Sequence, residues 1–470
     1  MQKTQAVASL GQQRLLLPAW VKAALSANDR LKVYLTVLQS ASTHASHPNR
    51  DVPDLSKEIA AAGLSTPWLH DLAAVAHRSK GQRTMDRRNF IRLTAGGGIG
   101  AVAGSTAGCS QQMPMGAIAA WNGPGPETDI RRWMLGYAIL APHSHNLQSW
   151  LVDLHNPDEI LLRCDLTRLL PEVDPTSRQI MMSHGTFLEL LDIAARERGL
   201  RAEIELFPQG PFGPSTLDPR PVARVRLWAD PTVRKDPLFA QILQRRTNRS
   251  AYDLGRAVPA DAWEAMKQAV NPNPLHFGFV GTTQPDTLKQ HREIAAEAWR
   301  IELTTPRTIM ESYRVLRVGS AEIDQYRDGL FVLDWMPVLM SKVGLFDRSK
   351  APAPDDYATT SQIDDFNAKL ASTPGFLWMV TEGNDRVTQV NAGRAYARVQ
   401  LAATAFGVSL QPLQQALQEY PEQAKPHAEI RSLLDAPQPS HTVQMWARAG
   451  FAPPIGPSPR RGVDAQLIRA

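Results

Sequence analysis

Between residues 128 and 470 the hydrophobic pattern switches between helical and strand periodicity in an order that is met twice, and this constrains the fold more than any other feature. The first run opens with Thr128 as the expected cap of a helix whose apolar face is Ile130, Trp133, Met134, Tyr137, Ala138 and Ala141. A strand at Glu159–Cys164 follows, then a long helix from Ser177 to Arg198 stopped by Gly199. Alternating segments at Arg201–Phe207 and Val222–Ala229 read as two further strands. The second run predicts helices from Pro237 to Arg245 and from Pro259 to Val270, a strand at Leu275–Val280 and a helix over Pro285–Glu302. After a less periodic middle with an exposed loop at Pro352–Asp356 come a strand at Phe376–Thr381 and a helix at Val390–Phe406 ended by Gly407. Strands at Val408–Gln411 and Thr442–Ala447 close the run, and no residue-level repeat accompanies the shared order. The expectation is an α+β chain with two α/β units in tandem, 128–232 and 233–470, the second carrying an insertion at about 305–357. Residues 110–127 read as a linker.

Composition sets the outer bounds. Of 470 residues, 43% are hydrophobic and 21% charged, a globular balance. No apolar run reaches the roughly 20 residues of a membrane span. Two cysteines, Cys109 and Cys164, provide no disulfide framework. The formal charge of +5 suggests nucleic acid until it is located: residues 1–109 hold 13 basic and 6 acidic groups, leaving 38 basic and 40 acidic elsewhere. The body is slightly acidic, so no nucleic-acid partner is expected.

The basic quarter carries a different signal. Arg87 and Arg88 precede Asn89, Phe90, Ile91 and Arg92, then a weakly apolar Gly/Ala stretch ending at Cys109. Residues 85–109 thus resemble a twin-arginine export signal, which implies a twin-arginine translocase as partner and a periplasmic or envelope location. Thr106-Ala107-Gly108-Cys109 resembles a lipoprotein cleavage box, which would make Cys109 a lipid anchor and the chain's one link to a membrane. The alternative is an ordinary signal cut near Ala107. Upstream, Leu31, Tyr34, Leu35, Leu38 and Ala41 recur at helical spacing, and Ser65-Thr66-Pro67 introduces Trp68, Leu69, Leu72 and Ala76. Residues 1–84 are therefore either a helical N-terminal extension or lie ahead of a true start at Met85.

Four segments of the body bring chemistry-bearing side chains together. The first is Pro142-His143-Ser144-His145-Asn146-Leu147-Gln148-Ser149-Trp150, where proline breaks a helix before a polar stretch. His143 and His145 are spaced for a metal, but no carboxylate or cysteine cluster joins them and no metal site is expected. The second is Arg245-Arg246-Thr247-Asn248-Arg249, which alone reads as solvated arginines at a helix end. The third is Gly407 to Gln414, a helix stop running into a strand and the bend Gln411-Pro412-Leu413-Gln414. The fourth, Ser458-Pro459-Arg460-Arg461, reads alone as a basic tail.

Taken in this order, the four segments resemble the nitroreductase superfamily, and more closely its tandem-domain branch of Acg-type FMN-binding oxidoreductases. The resemblance covers about residues 128–468 and implies two nitroreductase-like units forming an intrachain pseudo-dimer, active as a monomer, with the insertion at about 305–357 as a lid. It implies FMN as cofactor. Arg245, Arg246 and Thr247, with Arg460 or Arg461, would face the phosphate dianion, which suits arginine forks and a hydroxyl. Arg249 would sit by the pyrimidine edge of the ring. Ser144, His145, Asn146 and Gln148 would contact the ring and ribityl chain, while His143 replaces the usual Ser. The main chain near Pro412, Leu413 and Gln414 would face N5, the atom that exchanges hydride, so no side chain is needed as a catalytic group.

Three functions are consistent with this reading. The first is an exported FMN-dependent oxidoreductase acting on a small electrophile of the quinone or nitroaromatic class. The others are a non-catalytic FMN-sequestering protein of the same fold, and an exported interaction protein with a decayed site. The export reading predicts that replacing Arg87 and Arg88 by Lys holds the protein in the cytoplasm. Fractionation that finds the double variant exported normally would contradict it.

Overall fold

The computed structural model describes residues 112–342 and 346–468, all within one compact unit running from Ala101 to Ala470. The expected helical extension, the twin-arginine segment and Cys109 lie outside the described residues. The first sheet is built from helix α1 (Ile130–Ala138), strands β1 (Trp150–Asp153) and β2 (Glu159–Cys164), helix α2 (Arg178–Glu197), and strands β3 (Leu200–Leu206) and β4 (Pro221–Ala229). Its order is β1-β2-β4-β3, antiparallel throughout. Helix α3 (Ala260–Ala269) and strand β5 (His276–Val280) begin the second set. An insertion follows: α4 (Pro285–Thr304), α5 (Pro306–Arg314), β6 (Leu316–Val318), α6 (Gly319–Tyr326), β7 (Leu330–Val332), α7 (Trp335–Lys342) and α8 (Tyr357–Ala371). The set closes with β8 (Gly375–Glu382), α9 (Arg386–Ala405), β9 (Ser409–Pro412), α10 (Ala424–Leu433) and β10 (His441–Gly450). Its sheet, β5-β8-β10-β9, is again antiparallel.

The two sheets share one topology. In each, the second strand feeds a 20-residue helix that returns as an edge strand, and the last strand inserts between them. Four details differ from the sequence reading. Asp129, not Thr128, caps α1, its carboxylate accepting from Arg131 N–H at 2.8 Å. The helix expected from Pro237 to Arg245 is a single 3-10 turn, Pro237–Gln241, because the chain then straightens to lay Thr247 beside Leu410 of β9. The insertion occupies the whole of 281–374 between β5 and β8 and carries a two-stranded parallel sheet, β6-β7. The expected linker contains helical turns at Met115–Ile118 and Ala119–Asn122.

The halves meet where α2 crosses α9. A Cβ built on Gly185 would lie 1.9 Å from Val390 O, and one on Gly393 would lie 1.9 Å from Met182 O. Each glycine is the eighth residue of its helix, and each faces the carbonyl of the other's fifth, so the contact is reciprocal. The first arginine of each helix repeats this reciprocity. Arg178 donates to Leu417 O at 2.7 Å and Gln444 O at 3.0 Å, while Arg386 donates to Gly213 O and Thr176 O, both at 2.8 Å. A cation at a helix N-terminus opposes the dipole, so these carbonyls offset a local cost. Glu189 of α2 pairs with Arg394 at 2.8 Å and Arg398 at 2.9 Å of α9. The apolar cores interleave: Val390, Ala397 and Leu401 of α9 pack into the first core, Met182 of α2 into the second.

Gly393→Ala should therefore push two backbones apart and destabilise the chain by about 1–3 kcal/mol or more, read by urea unfolding. Gly281, with nothing near its absent Cβ, is the control, and Gly281→Ala should stay within about 0.5 kcal/mol of the native chain. Equal stability of the two variants would show that the helices do not touch as described.

Candidate functional site at the junction of the halves

The loop after α1 is shaped by its own hydrogen bonds. His145, Asn146 and Gln148 all have left-handed φ, at 48°, 54° and 54°, a cost that surrounding contacts must offset. His143 staples the loop from beneath. Its Nδ1 lies 2.8 Å from Ser144 O and its Nε2 2.7 Å from Ser149 Oγ and 3.1 Å from Ser149 N–H, so Nδ1 carries the proton. With both ring nitrogens used inside the loop and burial holding its pKa well below the ordinary range, His143 is a neutral structural strut. Ser144 donates its hydroxyl to Gln179 Oε1 at 3.2 Å and its N–H to Ser183 Oγ at 3.1 Å. His145 points towards the insertion, 3.4 Å from Ser312 Oγ; burial and the nearby Arg249 push its pKa down to about 4.

Asn146 and Gln148 face the tail rather than an open cavity. Asn146 donates to Pro459 O at 3.1 Å and Gly329 O at 3.3 Å, and its Oδ1 accepts from Arg460 Nη1. Gln148 is fully buried; it donates to Arg327 O at 2.9 Å and accepts from Arg461 N–H at 2.8 Å. Arg461 is spent on Gln148 O and Gln466 Oε1. Of the two tail arginines, then, Arg460 enters the site, while Arg461 and Gln148 fasten the tail to the first half. That fastening continues beyond: Val152 of β1 exchanges 2.8 Å backbone bonds with Gln466 and Ile468.

Arg460 meets the segment that opens the second half. Arg245 is 2% exposed and Arg460 3%, and both donate to Leu140 O, at 3.0 and 3.4 Å. Arg245 also bonds Gln400 Oε1 at 2.8 Å, and Gln400 donates to Tyr396 OH at 2.7 Å. Thr247 Oγ1 is 3.5 Å from Arg245 Nη1. Arg246, half-buried beside them, donates to Leu243 O and Arg245 O. Among the described residues no carboxylate lies within 4 Å of Arg245, Arg246, Arg249 or Arg460, and the Nε of Arg245 and of Arg460 is buried without a partner. Burial pulls the Arg245 pKa down to about 10 and lowers that of Arg460, with neighbouring arginines adding to the strain. Such groups stay protonated, so the shift expresses the cost of concentrated positive charge.

Arg249 is different. It is an exposed residue near Tyr252, Tyr396 and His145, and makes no hydrogen bond or ion pair among the described residues. The third segment lies alongside, because Thr247 and Leu410 pair. Beyond Pro412, buried Leu413 donates to Trp446 O at 2.8 Å, while Gln414 N–H has no backbone partner among the described residues. The Gln414 side chain rests on Met445 Sδ, with Oε1 unsatisfied. The structure therefore gathers Ser144, His145, Arg245, Arg246, Thr247, Arg249 and Arg460 from segments up to 316 residues apart.

Two contributors carry no sequence signal. Trp121 packs its ring against the three clustered arginines, from a stretch whose flanking Gly and Pro suggest only a linker. The insertion clamps the loop through Asp328, 1% exposed, which pairs with Arg317 at 2.7 Å and with Arg168 of the first half.

No family model matches the chain. It is 26% identical over 354 residues to a Mycobacterium tuberculosis protein named by inference an NAD(P)H nitroreductase, an alignment covering 73% of this chain and 92% of the relative. It is 25% identical over 357 residues to a second protein so named from that organism, Acg, covering 72% and 95%. Among solved structures, a protein from Anabaena variabilis named by inference a nitroreductase aligns over 75% of this chain and 94% of its own, at 10% identity and a TM-score of 0.36. An FMN and NADPH-dependent nitroreductase from a Sphigopyxis strain aligns over 50% and 99%, at 15% identity and a TM-score of 0.33.

The depressed pKa of His145 makes a prediction. Between pH 6.5 and 4 the unfolded chain binds a proton there that the folded chain does not, so this group's contribution to stability is present above that window and is lost as pH falls through it. An NMR titration should find the His145 midpoint near 4. A midpoint near 6.5 would show that the ring is not enclosed between loop and insertion.

Proposed function

We propose that this chain is an FMN-dependent oxidoreductase of the nitroreductase type, an intrachain pseudo-dimer holding one flavin between its halves and reducing a small quinone-like or nitroaromatic electrophile. The observation that carries the reading is the set of guanidiniums at the junction with no carboxylate beside them. A dianionic phosphate offsets that charge, and the unsatisfied Nε atoms of Arg245 and Arg460 are donors for it. The names of the mycobacterial relatives, aligned along nearly their whole length, support the same class.

Bound FMN supplies the two-electron redox chemistry, and the protein's part is to position it and set its electrostatics. Arg245, Arg246, Arg460 and Thr247 would hold the phosphate. Arg249, unpaired among the described residues, would place positive charge beside the ring and favour its anionic reduced form. Gln414 N–H is a free donor for the ring edge, and Ser144 and His145 would border the ring from the first half. Asn146 would act one step removed, by orienting Arg460. The twin-arginine pattern supports export to the periplasm or envelope, a route that carries folded proteins and suits a chain that takes up its cofactor first.

One observation favours a second reading, a flavin-sequestering protein. The insertion is pinned across the loop by Arg327 O, Gly329 O and the Asp328 ion pairs, which restricts access from that side. Steady-state oxidation of a reduced nicotinamide by the purified protein with menadione or nitrofurazone separates the two; turnover supports the enzyme, and its absence the sequestering role.

Arg245→Ala should weaken FMN binding ten- to a hundredfold, since charge-assisted hydrogen bonds contribute about 1.5–3 kcal/mol. Arg201→Ala, at a surface ion pair, is the control. Equal FMN affinity of the Arg245 variant and the native chain would remove these arginines from the site.

A further inference from the structure

Three like charges gathered without a carboxylate need something that holds them together. Coulomb repulsion between guanidiniums would splay them, and although Arg245 and Arg460 share Leu140 O, that carbonyl does not reach the Arg246 guanidinium. One group touches all three. The Cζ atoms of Arg246, Arg460 and Arg245 lie 4.3, 5.3 and 5.5 Å from the ring centroid of Trp121, within the range of cation–π attraction.

The indole is itself fixed. Trp121 is 6% exposed, and its Nε1–H donates to Ser458 O at 2.8 Å. The hydroxyl of the same Ser458 accepts from Arg460 Nη1 at 2.9 Å. Arg460 N–H donates to Ala117 O at 2.8 Å, strapping the 115–122 turns to the tail. One aromatic side chain thereby links the second half's opening arginines to its closing one, from a segment ahead of the first half.

We infer that Trp121 is a positioning residue for the anion seat: its π face gathers Arg245, Arg246 and Arg460 into one arrangement that accepts a phosphate monoester. It touches neither the flavin ring nor the substrate in this role. The inference rests on the phosphate reading of the arginine cluster. It differs from a plain packing role in one consequence. Removing the ring should cost only the part of the affinity that the phosphate supplies, and cation–π strength should grade the loss, with Trp above Phe and Phe above an aliphatic residue.

The test compares FMN with riboflavin, which lacks the phosphate, as ligands for the full chain and its Trp121→Leu and Trp121→Phe variants by fluorescence titration. The native chain should prefer FMN. Trp121→Leu should reduce FMN affinity roughly tenfold and leave riboflavin affinity unchanged, and Trp121→Phe should fall between. Should the Leu variant fail to fold, the Phe variant alone decides, by a lowered FMN-to-riboflavin ratio. A ratio equal to that of the native chain, or a parallel loss of both ligands, would overturn the role of Trp121 and leave the phosphate reading standing. A native chain that binds the two ligands equally would overturn the phosphate reading and this inference with it.

Discussion

The crossing of α2 and α9 is the constraint on which the rest of the molecule depends. Two glycines bring backbone against backbone, and the reciprocal register of Gly185 on Val390 O and Gly393 on Met182 O leaves little freedom in how the halves meet. Everything that converges at the junction is placed by that register. The post-α1 loop hangs from α2 through Ser144, Gln179 and Ser183, and Arg245 is bonded to Gln400 on α9. A small rotation at the crossing would separate the loop from the arginines it faces.

Buried arginines in this protein are held in two ways, by carboxylates or by neutral acceptors. Arg394 and Arg398 share Glu189, and Arg168 and Arg317 share Asp328; such partly or fully buried pairs are structural, because removing either partner strands the other. Arg245, Arg246, Arg249 and Arg460 have no acid beside them among the described residues. The charge of Arg245, Arg246 and Arg460 is tempered by carbonyl dipoles and one indole face. Arg386, Arg448 and Arg461 also lack an acid among the described residues, but they stand apart from one another, each bonded to its own neutral acceptors.

Much of this was legible in the chain. Strand alternation and helix stops located the two long helices and most strands to within a few residues, since Gly199 and Gly407 end helices by entering left-handed backbone. Strand β1 was missed because Trp150–Asp153 is only four residues long and continues a polar loop. The glycine crossing was also invisible: a lone glycine in a helix leaves room for a close approach but does not name the partner. Within the candidate site, the motif order named Arg245, Arg246, Arg249, Arg460 and Arg461 together, yet could not show that Arg460 turns towards Arg245 while Arg461 and Gln148 bond each other. Those assignments depend on side-chain direction across the junction. Trp121 is the extreme case, since its partners are more than 120 residues away and its surroundings read as linker.

We propose that the two halves together make one flavin site and not two. The direct measurement is flavin stoichiometry: the full-length protein is saturated with FMN, freed of excess, denatured, and its released flavin quantified by absorbance against protein concentration. One FMN per chain is expected, because the arginine cluster, the Gln414 turn and the tail occur once. No retained FMN, or two per chain, would contradict it.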